Sequence, residues 1–108
     1  MKTYAVYIGA CSGYDTDRIA DILRAALYDI PFRKPLTGRV VIKPNLVMAH
    51  PKIATEGYTR PQVIEAILRV VLERGKRIQD IAVVEKSGLG VTTASMFRWA
   101  GYKPLPRR

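Results

Sequence analysis

Residues 39–43 read Arg39-Val40-Val41-Ile42-Lys43 (RVVIK), and the fold turns on them. A short apolar run after a glycine and before a proline predicts a strand of the kind buried in a parallel sheet. Residues 44–58 then form a long loop containing Pro44, Pro51 and Gly57, and loops of this length are often functional. Thr59-Arg60-Pro61-Gln62 fits a capping box, with Thr59 at the N-cap, Gln62 at N3 and Pro61 in the permissive first turn. Val63, Ile64, Ile67, Leu68, Val71 and Leu72 recur at helical spacing until Gly75 stops them. Asp80–Glu85 (DIAVVE) predicts another strand, and Ser87-Gly88-Leu89-Gly90 a glycine turn. Thr92 or Thr93 then caps a last helix carrying Met96, Phe97 and Ala100 and ending at Gly101.

Upstream, Thr3–Ile8 (TYAVYI) is rich in β-branched and aromatic residues and reads as a first strand. Gly9–Tyr14 reads as a loop, and Asp15-Thr16-Asp17 supplies N-cap chemistry. Ile19, Ile22, Leu23, Ala26 and Leu27 give the next helix one apolar face, and Pro31 and Pro35 close it. The expected architecture is therefore α/β: an open three-stranded parallel sheet of β-α-β-α-β-α order. Parallel sheets need helices over both faces, and three helices are few for that. Residues 1–108 are thus expected to be one α/β domain whose sheet is incomplete. Either a partner chain covers it, or the chain is the N-terminal portion of a larger domain.

Composition narrows the function classes. With 108 residues, 48% hydrophobic and 25% charged, the chain has ordinary globular usage. No apolar run approaches the roughly 18 residues of a membrane span, and no secretory h-region opens the chain, so a cytoplasmic protein away from membranes is expected. Cys11 is the single cysteine, which excludes an internal disulfide or a four-cysteine metal site. The net charge of +9 points to an anionic partner. Residues 1–54 hold 8 basic and 4 acidic side chains, residues 55–108 hold 10 and 5. So even a spread favours a solvated basic surface and ranks nucleic acid below a small anion. The densest patch, Arg69, Arg74, Lys76 and Arg77, falls at a helix C-terminus, where cations are favoured in any case.

The run Val40-Val41-Ile42-Lys43-Pro44-Asn45-Leu46-Val47 resembles the uncharacterised domain-of-unknown-function family 362. The likeness extends through Pro51, Ala54-Thr55, Thr59-Arg60-Pro61, Gly75, Glu85, Ser87-Gly88-Leu89-Gly90 and Gly101-Tyr102, from about residue 39 to residue 102. Members of that family often carry ferredoxin-type iron–sulfur modules. The resemblance implies a longer domain than this chain supplies, so the chain looks like a truncated N-terminal part. Two departures limit what carries over. Where the family typically has Thr-His-Pro, this chain has Thr59-Arg60-Pro61, so no imidazole role transfers. No Cys-x-x-Cys is present, so a single cysteine does not support an iron–sulfur cofactor in this chain.

In open parallel sheets, ligands bind outside the carboxyl ends of the strands. The expected loops there are Gly9–Tyr14, Pro44–Tyr58 and Lys86–Val91, which hold many of the polar and glycine residues. Lys43 either meets a phosphate or carboxylate or lays its stem along the sheet with its ammonium in water. Asn45 offers an amide beside it. Thr59 is accounted for as a cap, while the helix start with Arg60 is also suited to an anion. Ser87, Gly88 and Gly90 resemble a phosphate cradle in position but complete neither a P-loop nor Gly-x-Gly-x-x-Gly; a plain glycine turn is the alternative. Glu85 is a candidate acid/base. Cys11 would act as a nucleophile only with His50, the sole histidine, as its base. Phe97, Trp99 and Tyr102 either pack a core edge or form a patch for a partner.

The leading expectation is a module that binds a small anionic ligand through Lys43, Asn45, Thr59, Arg60, Ser87, Gly88 and Gly90, without catalysis by this chain alone and without a metal. The alternatives are a basic interaction module, homo-oligomeric or RNA-binding, and a truncated remnant lacking independent activity.

Overall fold

A computed structural model describes residues 1–47, 49–50, 52, 56–86 and 92–102. The elements follow in the order α1 (Thr16–Asp29), β1 (Gly38–Ile42), α2 (Pro61–Arg74), β2 (Ile78–Val83) and α3 (Thr93–Trp99). β1 and β2 pair in parallel, with Val40 opposite Ile81 and Ile42 opposite Val83. The chain is thus a small α/β domain with a two-stranded parallel sheet in α-β-α-β-α order.

This corrects the expected three-stranded sheet. Thr3–Ile8 forms no strand; Tyr4, Val6 and Ile8 are exposed. Strand propensity measures how well side chains fit a pleated, half-buried surface, not an intrinsic backbone preference. Among the described residues β1 and β2 pair only with each other, so residues 3–8 meet no ladder there that would give their β-branched and aromatic side chains such a surface. Instead Gly9, just after them, lies against the Ile22 side chain of α1, closely enough that a Cβ would collide with it.

Asp15 caps α1 as its chemistry predicts, accepting from the Arg18 N–H at 3.1 Å. α1 and α2 meet through Ala20, Ala66 and Val70, with Ile19, Leu23 and Leu27 packed around them. The fully buried alanines let the helix backbones approach closely. Arg24 donates to both carboxylate oxygens of Glu73 (2.9 and 2.6 Å), and Arg69 pairs with Asp17. Since 17 meets 69 and 24 meets 73, the two helices run in the same direction.

Thr59 does not cap α2 as the capping box predicts. Arg60 is the N-cap and makes no side-chain cap bond. Pro61 has no N–H to satisfy, and the Thr59 hydroxyl is used elsewhere, as an acceptor for the Asn45 N–H at 3.1 Å. Gly75 ends α2, and a Cβ there would collide with Ile78. β2 starts earlier than expected, because Arg77, with φ of 54°, turns the chain so that its carbonyl accepts from the Gly38 N–H at 3.1 Å. Thr92 caps α3, accepting from the Ser95 N–H at 3.2 Å.

A second core cluster lies under the loop after β1. Leu46, Ala49 and Tyr58 pack against Met96 and Ala100 of α3, flanked by Phe97 and Tyr102. It fastens that loop to α3.

Candidate functional site

Lys43 and Glu85 follow β1 and β2, at the carboxyl end of the sheet. The Glu85 side chain is only 4% exposed and its carboxylate is crowded with donors. Oε1 accepts from the Lys86 N–H at 2.8 Å; Oε2 accepts from Lys43 Nζ at 3.2 Å and, at 3.4 Å, from the Leu46 N–H. The Lys86 N–H is the chief cause holding this carboxyl below its ordinary range, with Lys43 and the Leu46 N–H adding to it against the opposing effect of burial. Glu85 is therefore a carboxylate at neutral pH, with no proton to donate. It spans the end of β2 and the loop after β1. The Lys43 side chain, by contrast, is 67% exposed, so one end of this ion pair is anchored and the other faces water.

Asn45 and Thr59 clasp each other. The Asn45 N–H donates to Thr59 Oγ1 at 3.1 Å, and the Thr59 N–H donates to the Asn45 carbonyl at 2.8 Å. Asn45 Oδ1 also accepts from the Val47 N–H at 3.1 Å, turning the chain after Pro44. This clasp sets the start of α2 beside the end of β1. The Tyr102 hydroxyl adds a third tie, donating to the Thr59 carbonyl at 2.9 Å. Burial pushes that hydroxyl's pKa up to about 12, with the nearby Tyr58 adding to the shift.

The Arg60 guanidinium lies 4.9 Å from the Tyr58 ring centroid and 5.1 Å from that of Tyr14. Two aromatic faces thus hold the cation. Tyr14 belongs to the first loop, so the contact joins residues 11–14 to the start of α2.

The structure accordingly brings Lys43 together with Glu85, and Asn45 with Thr59. Ser87, Gly88 and Gly90 lie outside the described residues, as do Pro51 and Ala54-Thr55. Cys11 and His50 are each engaged elsewhere. The Cys11 thiol donates to the Gly13 carbonyl at 2.8 Å, while His50 Nδ1 accepts from the Lys52 N–H at 3.1 Å. The imidazole also lies 5.7 Å from the Trp99 ring. Tyr14, Tyr58 and Leu46 are the participants that residue chemistry missed, and it places Tyr102 only at a core edge or a partner patch. The family resemblance carries a signal for two of the four, in the run through Leu46 and in the Gly101-Tyr102 pair. Among the described residues no group of three or more His, Cys, Asp and Glu could hold a metal ion, and no helix is long and apolar enough to cross a membrane.

Residues 40–108 match the family described as Domain of unknown function (DUF362). No curated protein and no solved structure matches the chain.

Proposed function

We propose that this chain, which belongs to the DUF362 family, binds a small anionic ligand at the carboxyl end of its sheet. The observation that carries the reading is the reciprocal Asn45–Thr59 bonding, which ties the strand end bearing Lys43 to the helix start bearing Arg60. Two cations on neighbouring segments, one exposed on a buried carboxylate and one stacked on tyrosines, suit a phosphate or carboxylate. Both cations are held before a ligand arrives, which lowers the ordering cost of binding. Ser87, Gly88 and Gly90, which begin two residues after Glu85 in the sequence, stay part of the proposed ligand set. Glu85 acts as a positioning residue for Lys43, and the reading assigns the chain binding without a reaction.

Thermal shift of the full chain against phosphorylated and carboxylated metabolites tests this. At least one member should raise the Tm, and Lys43→Ala and Arg60→Ala should each weaken that ligand about tenfold or more, the scale of a lost charge-assisted contact. No shift from any member, with the fold intact, refutes it.

A second reading, an interaction module, is favoured by Val41, which is 62% exposed within β1 beside the exposed Arg39–Asp80 pair. Light scattering over a concentration series tests it for self-association, and an unchanged monomer mass up to high concentration refutes that form. RNA binding, the other form, should weaken steeply with salt.

A further inference from the structure

An open depression of about 370 Å³ lies beside the Arg60 stack, lined by Cys11, Ser12, Gly13, Tyr14, Ile19 and Val63. We infer that this depression holds the uncharged body of the anionic ligand, so that the site selects small organic phosphates or carboxylates bearing an apolar or aromatic group over inorganic anions. The inference rests on the anion-binding reading and goes beyond it to the class of ligand.

Three observations carry it. First, Tyr14 belongs to both features: it lines the depression, and its ring carries the Arg60 guanidinium at 5.1 Å. A ligand whose charged group reaches Arg60 thus has its remainder beside the depression. Second, Val63 lies one turn along α2 from Arg60, its N–H bonded to the Arg60 carbonyl at 3.1 Å. Val63 in the first turn of α2 and Arg60 at its N-cap are therefore placed by the same helix start. Third, the lining is chemically mixed in the way small-molecule sites are. Ile19 and Val63 are aliphatic, Tyr14 is aromatic, and Ser12 carries a hydroxyl. Inorganic phosphate, with five heavy atoms, would leave most of this volume filled by water. A ring against Tyr14, Ile19 and Val63 would displace that water and remove apolar surface on both partners from solvent.

The test is a pair of titrations on the full chain, with inorganic phosphate and with phenyl phosphate, followed by calorimetry and methyl NMR. Phenyl phosphate is expected to bind about tenfold more tightly or better, from burial of one ring. Its ring should also shift the methyl resonances of Ile19 and Val63, which phosphate should not. In Val63→Ser, which shortens the apolar wall at an incompletely buried helix position, the preference should fall to about threefold or less. Equal affinities for the two probes, or ring-induced shifts elsewhere, overturn the inference and leave the anion site standing. Binding of neither probe overturns the inference as well, while the anion reading itself stands or falls with the metabolite panel.

Discussion

Leu46→Ala tests the packing on which the candidate site stands. Leu46 is fully buried among Ala49, Tyr58, Met96 and Ala100, and its N–H reaches Glu85 at 3.4 Å. The substitution deletes three carbons, worth about 0.8 kcal/mol each in transfer free energy, or roughly 2.4 kcal/mol. The cavity adds roughly another 1 kcal/mol, restrained by the flexible Met96 side chain, which can move into part of the space. The expected loss is therefore about 3–4 kcal/mol, a large share of the roughly 5–15 kcal/mol that stabilises a small domain. Urea unfolding followed by the fluorescence of Trp99 reads it directly, because that residue ends α3. With a slope of about 1–2 kcal/mol per molar, the midpoint should fall by roughly 1.5–4 M. Leu72→Ala, at a side chain 65% exposed on α2, is the control and should change stability by less than about 0.5 kcal/mol. A loss below about 1 kcal/mol at Leu46 would mean that the loop after β1 is not packed against α3, and the site's geometry would fall with it.

The pH dependence follows from Glu85. Its folded pKa lies below the ordinary value, so its contribution is complete above about pH 4.3 and is lost as pH falls through the folded value. Glu73, held low chiefly by Arg24, acts in the same sense. Urea midpoints between pH 2 and 7 should therefore drop less steeply in Glu85→Gln, and less still with Glu73→Gln added; an unchanged slope refutes this. Tyr102→Phe removes the bond to the Thr59 carbonyl and should cost about 0.5–1.5 kcal/mol. Because the Tyr102 pKa is raised to about 12, its contribution is complete below pH 10 and declines as pH rises to 12; this decline should be absent in the variant. Gly75→Ala should destabilise by about 1–3 kcal/mol, since the new Cβ would overlap the Ile78 side chain and sit 2.8 Å from the Val71 carbonyl. An unchanged Tm would show that the turn between α2 and β2 yields easily.

What could be read in the chain beforehand depended on how local the physics is. Asp15 and Thr92 cap the helices they precede, because a cap bond closes within three residues. RVVIK and DIAVVE mark both strands, with β2 displaced toward its N-terminal side by the turn at Arg77. Lys43, Asn45, Thr59 and Glu85 were legible as polar residues gathered at strand ends and a helix start. Their pairings were not: Lys43 and Glu85 are 42 residues apart, Asn45 and Thr59 are 14. The Arg60 stack was equally hidden, since Tyr14 reaches it from the first loop.

Two sequence patterns failed for a single reason. Thr59 has the chemistry of a cap and TYAVYI that of a strand, but each group acts on whatever partner the tertiary structure offers. The Thr59 hydroxyl meets the Asn45 N–H and leaves the cap position to Arg60. Thr3–Ile8 meets no strand edge, and its side chains stay in water. The sequence by itself determined the three helices and the segments of β1 and β2, because apolar periodicity is settled within a few residues. Only the tertiary structure decided how many strands pair, which group Thr59 serves, that Lys43 meets Glu85 and that Arg60 stacks on Tyr14 and Tyr58. Hydrogen bonds and apolar burial between distant segments exist only once the chain has brought those segments together.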